Sequence, residues 1–466
     1  MKSPAGWLLR LRARSTPGAA PPDAARPRVL RGLLWAMAGA LCSQGSVFAS
    51  SIVAARVLGQ AEFGKLAMLQ SAVATVGGFA AVGLGTTATK FVAELCVRDP
   101  ARAGRILGLC TLVTTATGGL FAMLLLVAAP WAATLFHIPG LEAQLRWGAL
   151  YVLFFTMNTY QLGALSGFSA FAALARIGLV QGLVAVALLT LGAVTFGLTG
   201  AAVALAAAAL CSWLQHQRAL RHECARYGVV MTYASAGQEL SALFGFALPA
   251  ALSGCVGGLA FTAASTVLIR QPDGVRQMAI FSAANTIRII VLFVPGLVSR
   301  VSTPLLCGLR GNADDGGFRL AFSRFLLANT AMAVAAAVLL FACAPWVLAL
   351  YGRDFANGRP VLGLLLASAV VETVAVALFQ TLYAHGRVWL QLGIVTVWSL
   401  LLVGLVRQLA ADHGASGLAA AYLCAWTVSA LAYGCSAWAI LRRDKISPSA
   451  ETLPDGSAEQ REVGEP

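Results

Sequence analysis

The residues able to do chemistry in this chain are ionised groups set among apolar neighbours. Arg288 stands in Asn285-Thr286-Ile287-Arg288-Ile289-Ile290 and Glu372 in Val370-Val371-Glu372-Thr373, each about midway along an apolar run. A charge at bilayer depth costs about 2.5–3.5 kcal/mol on insertion scales, so each must face a cavity or a partner. Either end of its run lies about ten residues, roughly 15 Å, from Arg288, which makes snorkelling difficult. Arg288 is therefore read as lining a functional cavity, with an internal structural pair as the alternative. Glu372 suits three uses: neutralising a cation, carrying a coupling proton, or hydrogen-bonding a neighbour as a buried neutral acid. Lys90 and Glu94 stand at i, i+4, the spacing of a helical ion pair. Arg300, Arg56 and Arg270 fall at the ends of apolar runs. With Lys90 and Arg300 at one mouth, Arg288 in the middle and Arg56 and Arg270 at the other, the cations form a ladder suited to an anionic headgroup. Any single rung also reads as an interfacial anchor. Asn158, Gln161 and Asn285 thicken the same polar track, either lining a hydrated path or bonding helix to helix.

The elements that must position these groups are apolar helices. The 466 residues are 59% hydrophobic and only 11% charged, with a mean hydropathy of +0.78, which excludes an ordinary soluble enzyme. About twelve runs are long enough to cross roughly 30 Å of hydrocarbon. They cover 33–55, 66–88, 105–129, 147–168, 174–196 and 198–215, then 241–269, 278–299, 320–343, 359–384, 388–409 and 415–441. The expected organisation is a disordered tail (1–28), a first six-helix lobe (29–215), a linker (216–240), a second lobe (241–441) and a second tail (442–466). No signal-peptide core precedes the first run, which is expected to act as an uncleaved insertion signal. Pro249 and Pro295 should bend the seventh and eighth runs. Glycines 77, 78, 83 and 85 allow the second run either to bend or to pack closely.

The two sets of six repeat each other. Ala129-Pro130-Trp131 returns as Ala344-Pro345-Trp346, 215 positions later. Gly64-Lys65-Leu66-Ala67-Met68 returns loosely as Arg276-Gln277-Met278-Ala279-Ile280, and Leu198-Thr199-Gly200-Ala201-Ala202 as Ala415-Ser416-Gly417-Leu418-Ala419. An even number of spans per repeat gives both lobes one orientation, related by a pseudo-two-fold axis along the membrane normal. Parallel repeats of that kind are a transporter architecture with the substrate path at the repeat interface.

The net charge of +14 sets topology rather than marking a nucleic-acid partner. With the N-terminus cytoplasmic, 23 of the 33 Lys and Arg fall on the cytoplasmic side against 8 outside, so both termini are placed in the cytoplasm. The excess meets anionic membrane lipid. The ten cysteines include no CxxC pair and lie mostly within spans, where a thiol packs as a small apolar group. P-loop, GxSxG, HExxH and EF-hand patterns are missing, so no enzyme, metal or cofactor is expected. Without an ATP site, transport energy must come from ion or substrate gradients or from the membrane potential, with a proton or sodium ion as the candidate coupling ion.

Three short segments carry a family resemblance. Val57-Leu58-Gly59-Gln60-Ala61-Glu62-Phe63-Gly64, the stretch from Val82-Gly83-Leu84-Gly85 to Lys90-Phe91-Val92-Ala93-Glu94, and Phe196-Gly197-Leu198-Thr199-Gly200-Ala201 resemble motifs of bacterial polysaccharide flippases. Those belong to the multidrug/oligosaccharidyl-lipid/polysaccharide exporter superfamily, with a MATE-like fold. The resemblance, over roughly residues 30–440, implies two six-helix lobes forming a V around a central cavity in a bacterial inner membrane. It implies an undecaprenyl-pyrophosphate-linked oligosaccharide as cargo and polysaccharide polymerase machinery as a partner. It also implies a cationic cavity with basic residues on the second and eighth helices, onto which Lys90 and Arg288 or Arg300 fall. Lys90 departs from the Arg common there, and a point charge lacks the bidentate fork. The rival reading is a cation-coupled drug exporter of the same fold.

Overall fold

Backbone amides in hydrocarbon have no water to bond, so a chain this apolar must satisfy them within its own segments. In a computed structural model the described residues meet that requirement with helices alone. It describes residues 22–81, 83–138, 140–233, 240–311, 315–384 and 388–446, and the outer parts of both expected tails lie outside these. The described residues form α1 (Pro22–Ala81), α2 (Leu84–Leu95), α3 (Pro100–Phe136), α4 (Glu142–Gly167), α5 (Phe171–Tyr227) and α6 (Leu240–Ile269). Then follow α7 (Gly274–Gly311), α8 (Asp315–Ala342), the short α9 (Ala344–Ala349), a 3₁₀ turn (Arg353–Gly358), α10 (Arg359–Ala384) and α11 (Val388–Ile446).

Three of these helices are too long for one crossing, and each folds back on itself. In α1 the rings of Phe48 and Phe63 lie 6.1 and 6.2 Å from the one ring of Tyr351. Fifteen residues of straight helix would hold them about 22 Å apart. The reversal is at Gly59, whose φ of 75° and ψ of 172° define a region open essentially to glycine alone. In α5 the break is at Phe196 and Gly197, and Gly192 and Gly200 then meet backbone to backbone. In α11 it is at Gly414, which returns Gly417 to the Leu409 carbonyl. These breaks fall between the runs read from sequence, at 55/66, 196/198 and 409/415.

Among the described residues, seven segments are long and apolar enough to cross a membrane, including the hairpin-containing Phe171–Tyr227 and Trp389–Ala439. Their outer faces carry Val127, Trp131, Leu183, Leu327 and Leu400, and α9 carries Trp346, all well exposed. A surface so apolar is a liability in water and a lipid contact in a bilayer. Trp131 and Trp346, at matching repeat positions, are 67% and 71% exposed, as expected of interfacial aromatic anchors.

Within the first half α1 packs on α5, α5 on α4, and α4 on both α3 and α2. The second half packs α11 on α10 and α6, and α10 on α7 and α8. The halves meet where α1 lies against α6 and α7, and one continuous core runs through that seam.

Several sequence expectations are refined. The second run is bent at Gly83, a left-handed residue between α1 and α2, while Gly85 packs against Thr159 and Gly163 of α4. The glycines are therefore used both ways. Pro249 and Pro295 lie inside helices that run on without a break. The matched prolines behave differently: Pro130 sits within α3, whereas Pro345 opens a new helix after Cys343. Residues 216–227, expected in the linker, complete α5 and bury Leu220 and Cys224 against α2 and α3. Beyond Tyr227 the Thr232 amide donates to the Gly104 carbonyl at 3.3 Å, tying this segment to α3.

Candidate functional site

Arg288 and Glu372 are brought together. The α7 register that buries Phe281, Ala284, Ile287 and Val291 also turns Arg288 inward, leaving its residue surface 4% exposed. There its guanidinium pairs with the Glu372 carboxylate on α10. A second guanidinium nitrogen donates to Asn285 Oδ1 at 3.0 Å, one turn back on α7. The plane lies 4.7 Å from the centre of the Tyr422 ring on α11, whose hydroxyl is 3.5 Å from the same nitrogen that meets Glu372. Tyr422 is in turn walled by Trp398, Trp426 and Phe261, at ring separations of 5.6, 6.5 and 6.3 Å. Three helices thus close a charge-neutral centre inside the second half, with a cation–π face as its floor. Both long-range ionisable groups of the sequence reading are used on each other here.

The polar run on α4 is distributed among its neighbours. Asn158 donates to the Ala209 carbonyl at 3.1 Å and Gln161 to the side chain of Gln217, both on α5. Tyr160 shares a hydrogen bond with Thr111 of α3 at 2.8 Å. These are interhelical bonds of the kind that contribute about 0.6–2 kcal/mol each in a membrane. Lys90 and Glu94, on α2, are both exposed, and the Lys90 ammonium lies 5.4 Å from the Phe91 ring centre. Arg300 is carried by α7, and its side chain lies outside the described residues.

Arg56 and Arg270 sit at the seam between the halves. Arg56 donates from Nε to the Leu350 carbonyl at 2.6 Å and from Nη2 to that of Ala349 at 3.2 Å. Arg270 donates from Nε and Nη2 to the Leu135 carbonyl at 3.2 and 2.7 Å. Beside them Gln60 reaches the Asp354 carbonyl at 3.1 Å, and the Tyr351 hydroxyl reaches Ser51 at 3.2 Å. Phe63 packs against both Tyr351 and Phe355. Deeper, Thr75 bonds the Gly258 carbonyl at 3.0 Å and Thr262 at 2.5 Å, and Ser71 bonds Thr262 at 3.2 Å. The halves are therefore joined from the Arg56 end down to Thr75, about 16 residues or 24 Å of helix below Gly59.

Two halves joined along a shared seam and built from repeated helical hairpins make an arrangement that is recognised in other proteins' folds only by comparison. The sequence model described as "Polysaccharide biosynthesis protein" matches residues 29–309, more than half of the chain. The chain belongs to that family. This polysaccharide biosynthesis family member is 27% identical over 427 residues to the EPS I polysaccharide export inner membrane protein EpsE of Ralstonia nicotianae, covering 86% of this chain and 93% of EpsE. Its fold is similar to an inward-facing multidrug resistance MATE family transporter of the MOP superfamily, with a TM-score of 0.75 and 15% identity over 87% of this chain and 96% of that one. It is also similar to a MOP superfamily transporter from Pyrococcus furiosus whose binding pocket is described as reversed in polarity, at TM-score 0.67 and 16% identity over 90% and 96%. At those identities the likeness establishes a MATE-like helical fold and nothing finer.

Sequence reasoning missed Tyr422 as the face beneath Arg288, and the Leu135 and Leu350 carbonyls as partners of the seam arginines. Tyr422 left a trace, since Tyr422 and Trp426 stand at i, i+4 on one helical face. Backbone carbonyls leave none.

Proposed function

We propose that this protein is an inner-membrane flippase that carries an undecaprenyl-pyrophosphate-linked oligosaccharide from the cytoplasmic to the periplasmic leaflet by alternating access. Twelve crossings in two lobes of six, with both termini cytoplasmic, complete the reading, and the positive-inside bias supports it. The lipid tail stays in the bilayer while sugar and pyrophosphate cross between the lobes. A membrane potential negative inside favours outward movement of anionic groups by about 2.3 kcal/mol per charge per 100 mV. A proton or sodium ion returning through the empty carrier is compatible with this cycle. The polymerase acting on the delivered repeat unit is the natural partner.

The observation that carries the reading is the state of Glu372. A cation-coupled drug exporter needs an embedded acid free to meet its cargo, yet the Glu372 carboxylate is already matched by Arg288. The sequence of α2 carries the exposed Lys90 and that of α7 carries Arg300, cations of a kind suited to an anionic pyrophosphate. Family membership and the length shared with EpsE support the same cargo class.

The test is flipping of a short-chain lipid-pyrophosphate oligosaccharide in proteoliposomes. Transport by the wild-type protein, dependent on the pyrophosphate, is the expected result. Ion-driven efflux of organic cations without glycan flipping would overturn it in favour of the drug exporter.

A further inference from the structure

Arg56 and Arg270 make the same contact twice, with the halves exchanged. Arg56 ends the first hairpin arm of the first half and reaches the end of α9 in the second, at Ala349 and Leu350. Arg270 follows α6 of the second half and reaches the end of α3 in the first, at Leu135. The arginines are 214 positions apart and the accepting leucines 215, the offset of the Ala-Pro-Trp repeat. Two contacts that follow the internal repeat in both donor and acceptor are a built feature rather than two surface accidents.

The chemistry of each contact is that of a helix C-terminus. The last carbonyls of a helix have no intrahelical donor, and they gather the negative end of the helix dipole. A guanidinium satisfies both needs, and its planar fork places two N–H groups on neighbouring carbonyls or on one. Each arginine is exposed, so its bonds compete with water and are readily made and broken. That property suits a catch that must open in every cycle, and it would serve a permanent weld badly. The catch also explains why both cations lie where no acid is paired with them in the described structure. Their partners are backbone.

From this we infer that Arg56 and Arg270 are a symmetric pair of latches holding the periplasmic gate shut, and that both must leave their helix ends before the outer mouth opens. The inference rests on the alternating-access reading above and assigns these residues to the gate rather than to cargo. Beside the latches Gln60 also spans the seam, and beneath them it is closed by Tyr351 and Phe63 and then by the Ser71–Thr75–Thr262 cluster. The latches are therefore the outermost of several layers. Losing one should bias the equilibrium without dissolving the gate.

Hydrogen exchange of the full-length protein in nanodiscs tests this without transport. Arg56→Ala and Arg270→Ala should each speed exchange at seam peptides covering 60–78 and 256–269 by about 3- to 10-fold, with the double variant roughly multiplicative. Arg→Lys at either position should fall between, since it keeps charge and loses the fork. Arg353→Ala, removing an exposed cation of the same outer cleft, should leave the seam peptides unchanged. Unchanged seam exchange in the double variant, or an equal effect from Arg353→Ala, would overturn the latch. Peptides of α10 and α11 report global unfolding and must keep wild-type exchange for a latch to be credited. If those peptides loosen with the seam, the arginines are stability elements and the latch is refuted. Absence of glycan flipping in the wild type would sink the cargo assignment while leaving this result to stand or fall by itself.

Discussion

Arg288 on α7 and Glu372 on α10 neutralise each other inside the second half, 84 positions apart in sequence and joined through one ion pair. Neither charge could remain at this depth without the other, because the uncompensated survivor would be buried among apolar side chains. The pair is supported by Asn285 and floored by Tyr422, so α7, α10 and α11 are tied at one point.

Removing one member is therefore expected to cost far more than removing both. Arg288→Met or Glu372→Leu alone should destabilise the protein by about 3–5 kcal/mol, while the double apolar variant should recover most of the loss. Thermal unfolding of the four proteins in detergent gives the cycle. Equal stability of each single variant with wild type would mean that the ion pair does not hold the helices.

The floor beneath Arg288 can be tested separately. Tyr422→Phe keeps the ring face and removes a hydroxyl 3.5 Å from the guanidinium, so a change within about 1 kcal/mol is expected. Tyr422→Leu removes the face itself and should cost about 2 kcal/mol beyond that, the scale of a desolvated cation–π contact. Identical effects for Phe and Leu would assign the contact to the hydroxyl.

Gly64 sets how closely the halves approach. A Cβ built there strikes the Val275 carbonyl, which is backbone and cannot swing aside. Gly64→Val should therefore part α1 from the start of α7 and raise labelling of a cysteine placed at Thr75 in a cysteine-depleted background. Gly78→Val, where a Cβ meets open space, should leave labelling unchanged. Labelling of Thr75→Cys that ignores Gly64→Val would show that the seam has slack at this point.

Much of this fold is written in the sequence because bilayer physics leaves few choices. Apolar runs about 20 residues long identify the helices, and the Gly59, Gly197 and Gly414 breaks coincide with gaps between runs. The isolated charges Arg288 and Glu372 were legible as a site, because a buried charge requires an explanation. Their mutual pairing was not legible, since facing on α7 and α10 depends on how both pack against α11. The role of Arg56 and Arg270 was hidden for a different reason. Their partners are main-chain carbonyls of Leu135, Ala349 and Leu350, and nothing in side-chain spacing marks where a helix end will lie in space. Repeat offsets near 215 contained the hint, visible only once the acceptors were known.

Lys90 offers the sharpest functional test, because it is exposed on α2 and its removal should leave the protein intact. An exposed substitution away from caps and cores usually changes stability by no more than about 0.5 kcal/mol. Lys90→Ala is therefore expected to unfold as the wild type does, while flipping of the pyrophosphate-linked oligosaccharide falls by about tenfold, the value of one lost charge-assisted contact of roughly 1.4 kcal/mol. Lys90→Arg should restore or exceed wild-type flipping, since the guanidinium fork matches phosphate oxygens better than an ammonium does. Raising salt should weaken the wild type towards the Ala variant if the contact is solvent-accessible. Full flipping by Lys90→Ala at low salt would remove this residue from the cargo path and leave Arg300 as the cation to test.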